Sequence, residues 1–228
     1  MKRWLITGVV AVLVIVVGGP FVYFHFIEGK TPAKLTITNA PTSTLKPGQT
    51  RAPLAGTWKI GSGSLVRYRV KETLFGQSHT AVGGTSSVTG SLKIAGTTVT
   101  TAAFSVDMTT FTSTGASHDI RDGQFQSRIM DTADFPTATF TLTQPIDLGP
   151  APADGVTKTY SATGKLTMHG TTKTVTLSLS GRRTANVITV VGNTPITFSD
   201  YNIDNPSGGP ASVGNSGTLE FELNLTPN

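Results

Sequence analysis

The chain has 228 residues, no cysteine, a formal net charge of +5 and only 14% charged residues. The lack of cysteine excludes disulfides, thiolate zinc sites and cysteine nucleophiles, and the basic residues are too scattered to indicate a nucleic-acid partner. Abundant Gly, Thr and Pro favour many short strands over helices.

Residues 1–29 form the first segment, in which the run 4–27 contains no Asp, Glu, Lys or Arg. This run is long enough to cross a bilayer, which takes roughly 20 apolar residues. Lys2 and Arg3 precede it, so the positive-inside rule predicts a cytoplasmic N-terminus and an extracytoplasmic remainder. We therefore expect a single-pass anchor in the cell membrane. The alternative is a signal peptide, whose cleavage would release a secreted protein.

Residues 30–54 follow, and proline recurs in them at positions 32, 41, 47 and 53 among Thr, Lys and Gly. Such a composition predicts an extended linker rather than a packed element. Whether it serves as a stalk or as a plain connection, we expect it to be mobile.

Residues 55–228 alternate apolar and polar side chains repeatedly, for example over 104–109, 160–168 and 219–225. Period-two alternation gives a strand one apolar and one polar face. About eight such runs, separated by Gly, Asn and Pro turns, predict an all-β antiparallel barrel or sandwich. The segment 117–134 instead spaces its apolar residues as a helix does, which predicts one short helix ended by Phe135-Pro136.

Two motifs carry a family resemblance. The first is Arg121-Asp122 followed by FPTATF at 135–140, and the second is GKLTMHGTT at 164–172. In this order, over about residues 56–226, the chain resembles the YceI family. The resemblance implies an eight-stranded lipocalin-like antiparallel barrel. Members of the family are usually periplasmic or secreted, so the transmembrane helix predicted from residues 1–29 is a departure from it. The resemblance also implies a cavity that holds a polyisoprenoid chain, such as a prenyl phosphate or an isoprenoid quinone.

An eight-stranded barrel either packs solid or encloses one small ligand, and alternation alone does not distinguish the two. The residues predicted to face inward would contact the lipid in a hollow barrel and one another in a solid one. They are Phe104, Val106, Met108, Phe140, Leu142, Leu166, Met168, Leu177, Leu179, Phe221 and Leu223.

A phosphate or quinone headgroup would need polar partners at the mouth of the barrel. His118, Arg121 and Arg128 are the candidates, because they lie in or beside the predicted helix. The alternative for Arg121 is an ion pair with Asp119, Asp122 or Asp131 that fixes the helix to the rim.

The leading hypothesis is therefore binding, sequestration or transport of an isoprenoid lipid. The alternative is a solid barrel that acts as an extracytoplasmic protein-interaction module through loops 73–85 and 200–217. We expect no enzymatic activity, metal or cofactor, because the histidines are dispersed and form no recognisable triad or metal spacing. They are His25, His79, His118 and His169.

Overall fold

The computed structural model describes residues 30–40, 42–74, 76–209 and 211–228. The predicted anchor at 1–29 lies outside the described residues. Across the described ranges, no helix is both long and apolar enough to cross a membrane.

The described chain is almost entirely β-structure. Its strands are β1 (Gly56–Ile60), β2 (Leu65–Leu74), β3 (Gln77–Thr85), β4 (Val88–Ala95), β5 (Thr98–Asp107), β6 (Thr112–Ser113), β7 (Thr137–Leu142), β8 (Ile146–Asp147), β9 (Thr157–Met168), β10 (Thr171–Thr184), β11 (Val187–Thr197), β12 (Ala211–Val213) and β13 (Ser216–Pro227). Its helical elements are α1 (His118–Gln124), a π-helical turn at Phe125–Ile129 and single 3-10 turns at Met108–Thr110 and Phe198–Tyr201.

These strands occupy eight positions around a closed barrel, because several are collinear. β1 and β2 pair with successive parts of β13, and β4 and β3 pair with β1 and β2 in turn. In the same way, β7 and β8 both pair with β5. The pairing of β1 with β13 closes the ring, and every pairing is antiparallel. The eight-stranded antiparallel barrel with one short helix is thus confirmed.

The interpretation of 73–85 as a loop is wrong, because β3 occupies most of it. Ala81 and Gly83 are its buried inward positions, and neither is large enough to produce a visible apolar alternation. Apolar alternation predicts a strand only where the inward side chains are large, so β3, whose inward residues are small, was not predicted.

The helix is shorter than the predicted segment. It ends through the π-helical turn before Asp131, whose φ of 42° lies in the left-handed region. A short polar side chain tolerates this conformation better than most. Asp131, rather than Phe135-Pro136, therefore ends the helix.

The two sequence motifs lie against each other in the fold. His169 and Gly170 both have positive φ, at 49° and 71°, and make the tight hairpin turn between β9 and β10. The Phe135 ring packs edge-on against His169, with 4.8 Å between centroids. In the barrel wall, Phe140 is the register partner of Leu166.

The segment of residues 30–40 and 42–54, hereafter the strap, runs along the outside of the barrel. Near its start, Thr31 Oγ1 donates to the carbonyl of Thr80 (3.4 Å), beside the β2–β3 turn. Farther along, Arg182 donates to the carbonyl of Ala40 (2.8 Å). Near its end, Ala52 N donates to Asn186 Oδ1 (2.8 Å) beside the β10–β11 turn. The segment has no regular secondary structure, and it lies against the barrel wall rather than away from it.

The strap also borders a buried ion pair on the outer face of the barrel. Arg69 Nε donates to Glu220 Oε1 (3.0 Å), and its Nη2 donates to the carbonyl of Pro32 (2.9 Å). Glu220 is only 2% exposed although it faces away from the barrel interior. A buried carboxylate needs such a partner, since an unpaired one is strongly destabilising.

Candidate functional site

Three apolar chambers follow one another along the barrel axis. The helix-end chamber, about 530 Å³, lies beneath α1 and is bordered by β2 and the 3-10 turn at Phe198–Tyr201. The middle chamber is about 130 Å³. The arginine-end chamber, about 240 Å³, lies at the opposite end beside the end of the strap. Adjacent chambers share wall residues: Met108 and Met168 border the first two, and Phe104 and Phe140 the last two.

All eleven predicted inward residues line these chambers. Most border the middle one, Met108 and Met168 also reach the helix-end chamber, and Leu142 borders the arginine-end chamber. The structure therefore brings the predicted set together around the axis. Their contact with a ligand stays a prediction.

Glycines in the wall explain why the interior is hollow although it is lined by aromatic rings. A Cβ at Gly164 would lie 2.4 Å from Cζ of Phe140, and a Cβ at Gly192 would lie 2.4 Å from Cζ of Phe221. Each ring therefore lies against the wall over a glycine instead of projecting across the axis. Close approach of this kind is a typical reason for glycine within a strand.

The helix end is closed by an aromatic stack and a paired charge. The rings of Tyr68, Phe111 and Phe125 stack with centroid separations of 5.1–6.1 Å. Arg121 of α1 donates to Glu72 Oε1 of β2 (3.1 Å), and both side chains are about one-eighth exposed, at 13% and 12%. Burial raises the pKa of the Tyr68 hydroxyl, whose hydrogen bond to Ser113 (2.6 Å) acts in the opposite direction.

The three headgroup candidates are not equivalent in this arrangement. Only Arg121 lines a chamber, and it pairs with Glu72 of β2, a carboxylate that was not among the expected partners Asp119, Asp122 and Asp131. His118 is half exposed and lies 3.1 Å from Asp119. Arg128 is exposed and donates to the carbonyl of Pro206 (2.9 Å), which ties the helical region to the loop after β11. Arg121 therefore forms an ion pair, as the alternative interpretation expected, but the partner lies on a strand that is distant in sequence.

The opposite end of the barrel contains a site that the sequence did not predict. Arg51, Arg182 and Arg183 line the arginine-end chamber. The guanidinium of Arg183 lies 5.1 Å from the centre of the Trp58 ring. The indole N–H of Trp58 donates to the carbonyl of Leu54 (2.9 Å), which joins the end of the strap to the barrel. The doublet Arg182-Arg183 at the end of an alternating run is the one sequence signal of this cluster.

A closed eight-stranded antiparallel barrel with apolar chambers on its axis and a short helix over one end defines a lipocalin-like barrel. The YceI-like domain model matches residues 58–225, and the chain belongs to that family. A comparison with curated protein sequences gives no match.

Solved structures share this fold. A domain from Saccharophagus degradans, described as polyisoprenoid binding and implicated in plant cell wall breakdown, aligns with a TM-score of 0.59 at 16% identity, covering 76% of this chain and 99% of that one. Burkholderia cenocepacia BcnA aligns with a TM-score of 0.56 at 21% identity, covering 73% and 99%. The Campylobacter jejuni YCEI protein aligns with a TM-score of 0.51 at 12% identity, covering 87% and 99%. At these identities the likeness concerns the fold.

Proposed function

We propose that the chain binds a long apolar isoprenoid lipid, a prenyl phosphate or an isoprenoid quinone, and sequesters or carries it within the barrel. The observation that carries this proposal is the row of three apolar chambers along the axis, in which adjacent chambers share wall residues. The description of the Saccharophagus degradans domain as polyisoprenoid binding supports the same ligand class.

The energetics of burial support a long chain over a compact ligand. Each CH₂ removed from water contributes about 0.8 kcal/mol, and association costs on the order of 4–15 kcal/mol. Several isoprene units are therefore needed before burial outweighs that cost. Met108 and Met168, where the helix-end and middle chambers meet, have deformable thioether side chains that adapt to a flexible chain.

The proposed location is the outer face of the cell membrane. The apolar run 4–27 supports a single-pass anchor with a cytoplasmic N-terminus. In that position the barrel would exchange lipid with the adjacent leaflet and would need no catalytic group.

The protein-interaction module is the weaker candidate. That hypothesis assumed a barrel with a filled interior, whereas the glycine–aromatic pairs keep the interior open. The segment 73–85, one of its two binding loops, is largely strand β3.

The test is to purify the full chain from membranes and identify the extracted lipids by mass spectrometry. We expect an isoprenoid in near-stoichiometric amount, or its uptake from vesicles doped with it. A protein that carries none and takes up none would refute the proposal.

A further inference from the structure

The charges on the three chambers are unequally distributed. The helix-end chamber has Glu72 and Arg121 on its wall, and these two neutralise each other. No charged residue of the described chain lines the middle chamber. The arginine-end chamber has three arginines on its wall and, among the described residues, no carboxylate. Positive charge is therefore concentrated at one end of the axis.

Arg183 is the innermost of these arginines. On β10 it continues the inward series of Leu177, Leu179 and Gly181, so its side chain belongs to the inner face of the barrel. It donates to the carbonyls of Ala185 (3.2 Å) and Ala52, which are dipoles without net charge. Burial lowers the pKa of Arg183, the neighbouring Arg51 lowers it further, and Asp154 acts in the opposite direction.

Arg51 comes from the strap and stands at the rim. Its side chain is 38% exposed and forms an ion pair with Asp154, which is 52% exposed. One carboxylate thus faces Arg51 and Arg183 together. The clustered guanidinium charge carries a desolvation and repulsion cost that a bound anion would relieve.

We propose that this arginine end binds the anionic headgroup of the lipid, a phosphate or diphosphate, with Arg183 and Arg51 as its contacts. The prenyl chain then runs through the middle chamber toward α1. This assignment rests on the proposed function and deepens it, because it selects a prenyl phosphate over a neutral quinone. Guanidinium groups suit a phosphate, since their planar N–H donors bind two oxygens at once.

The test compares two lipids with the same tail, geranylgeranyl monophosphate and geranylgeraniol, by equilibrium binding to the full-length protein in detergent. We expect Arg183→Gln and Arg51→Gln each to weaken binding of the phosphate about tenfold, the effect of one lost charge-assisted contact. Binding of the alcohol should change less than about twofold, which is under a third of that free-energy difference. Arg128→Gln at the helix end is the matched control and should alter neither.

The outcomes separate this inference from the proposed function. If the wild-type protein binds neither lipid, the proposed function itself fails. If both lipids bind but the two arginine variants leave phosphate affinity unchanged, or Arg128→Gln lowers it, the headgroup does not lie at the arginine end. If Arg183→Gln does not fold, binding of the phosphate lipid by Arg51→Gln and Arg183→Lys decides whether the headgroup lies at the arginine end. Inorganic phosphate should compete only at concentrations far above those of the lipid; competition at equal concentration would assign the site to free phosphate and overturn the lipid headgroup.

Discussion

The two ends of the barrel are closed by different kinds of structure. At the helix end, α1 lies over stacked aromatic rings, and the charges on the chamber wall cancel within one buried pair. At the arginine end, the strap supplies part of the closure, Arg183 is held by carbonyls and by Trp58, and Arg51 pairs with Asp154 at the rim. One end therefore has a neutral chamber wall and the other a positively charged one, with an uncharged middle chamber between them.

The largest expected effect comes from placing a charge in the middle chamber. Leu177→Asp would place a carboxylate in the middle chamber, where no charged group of the described chain lines the wall. We expect loss of measurable isoprenoid binding and a fall of several kcal/mol in the free energy of unfolding, because an unpaired charge is buried. Ser178→Asp is the control, since Ser178 is exposed on the outer face. Denaturant unfolding and lipid binding measure both, and retained binding in a folded Leu177→Asp protein would show that the ends are not linked through the middle chamber.

The second-largest expected effect is the difference in the free energy of unfolding that is lost when each of the two ion pairs is broken. Glu72→Gln removes the partner of Arg121 in a pair about one-eighth exposed, and we expect it to lower the free energy of unfolding by about 3 kcal/mol. Asp154→Asn removes the partner of Arg51 at the exposed rim and should cost less than about 1 kcal/mol. Urea unfolding of the two variants measures the contrast. Equal losses would mean that the ends do not differ in how they bury charge.

A smaller effect is expected from filling the wall. Gly164→Ala would place a Cβ 2.4 Å from Cζ of Phe140 and 2.6 Å from the carbonyl oxygen of Thr141. The ring must then turn toward the axis and the strand backbone must shift, which narrows the middle chamber. We expect a loss of about 1–3 kcal/mol in stability from overpacking, together with weaker lipid binding. The control is Gly123→Ala in α1, where a Cβ meets nothing within 4 Å, and it should stabilise the protein by roughly 0.5–1 kcal/mol. Unchanged lipid affinity in Gly164→Ala would show that the ring does not bound the ligand.

The smallest effect is a dependence on alkaline pH at the helix end. The folded pKa of Tyr68 is raised by burial, so its neutral form is favoured in the folded protein. Its contribution is complete below the ordinary tyrosine pKa of about 10 and is lost as pH rises from there through the folded pKa. Thermal unfolding between pH 8 and 11 should therefore lose less stability in Tyr68→Phe than in the wild type. Tyr160→Phe at the arginine end, where burial also raises the pKa but the ring is more exposed, should alter the slope less. Identical slopes for all three proteins would remove Tyr68 as the cause.

The alternation of large apolar side chains with polar ones predicted most of the barrel, since Phe104, Leu166 and Leu177 all face inward as expected. It failed at β3, where Ala81 and Gly83 replace the bulky residues, and it left open whether the barrel was hollow. The answer lay in small inward residues such as Gly164, whose importance depends on a ring in the neighbouring strand. No sequence period encodes that relation.

The charged groups were the least predictable part of the site. Glu72 and Arg121 are far apart in the chain and meet only because α1 folds over the end of β2. Arg51 reaches its chamber because the strap crosses the barrel, whereas proline-rich composition had indicated only an extended and mobile linker. The ion pair and the position of Arg51 both depend on tertiary contacts between segments distant in sequence, which composition and local periodicity do not specify.

If residues 1–29 form the predicted anchor, the path of the strap decides which end of the barrel lies nearer the membrane. Residue 31 lies beside Thr80 at the helix end, and the chain travels the length of the barrel before it enters β1 at the arginine end. With residues 1–29 in a bilayer, as the sequence predicts, the helix end would face the membrane and the arginines would point away from it. A prenyl phosphate bound with its headgroup at the arginines would then hold its tail toward the membrane and its charge on the side away from it.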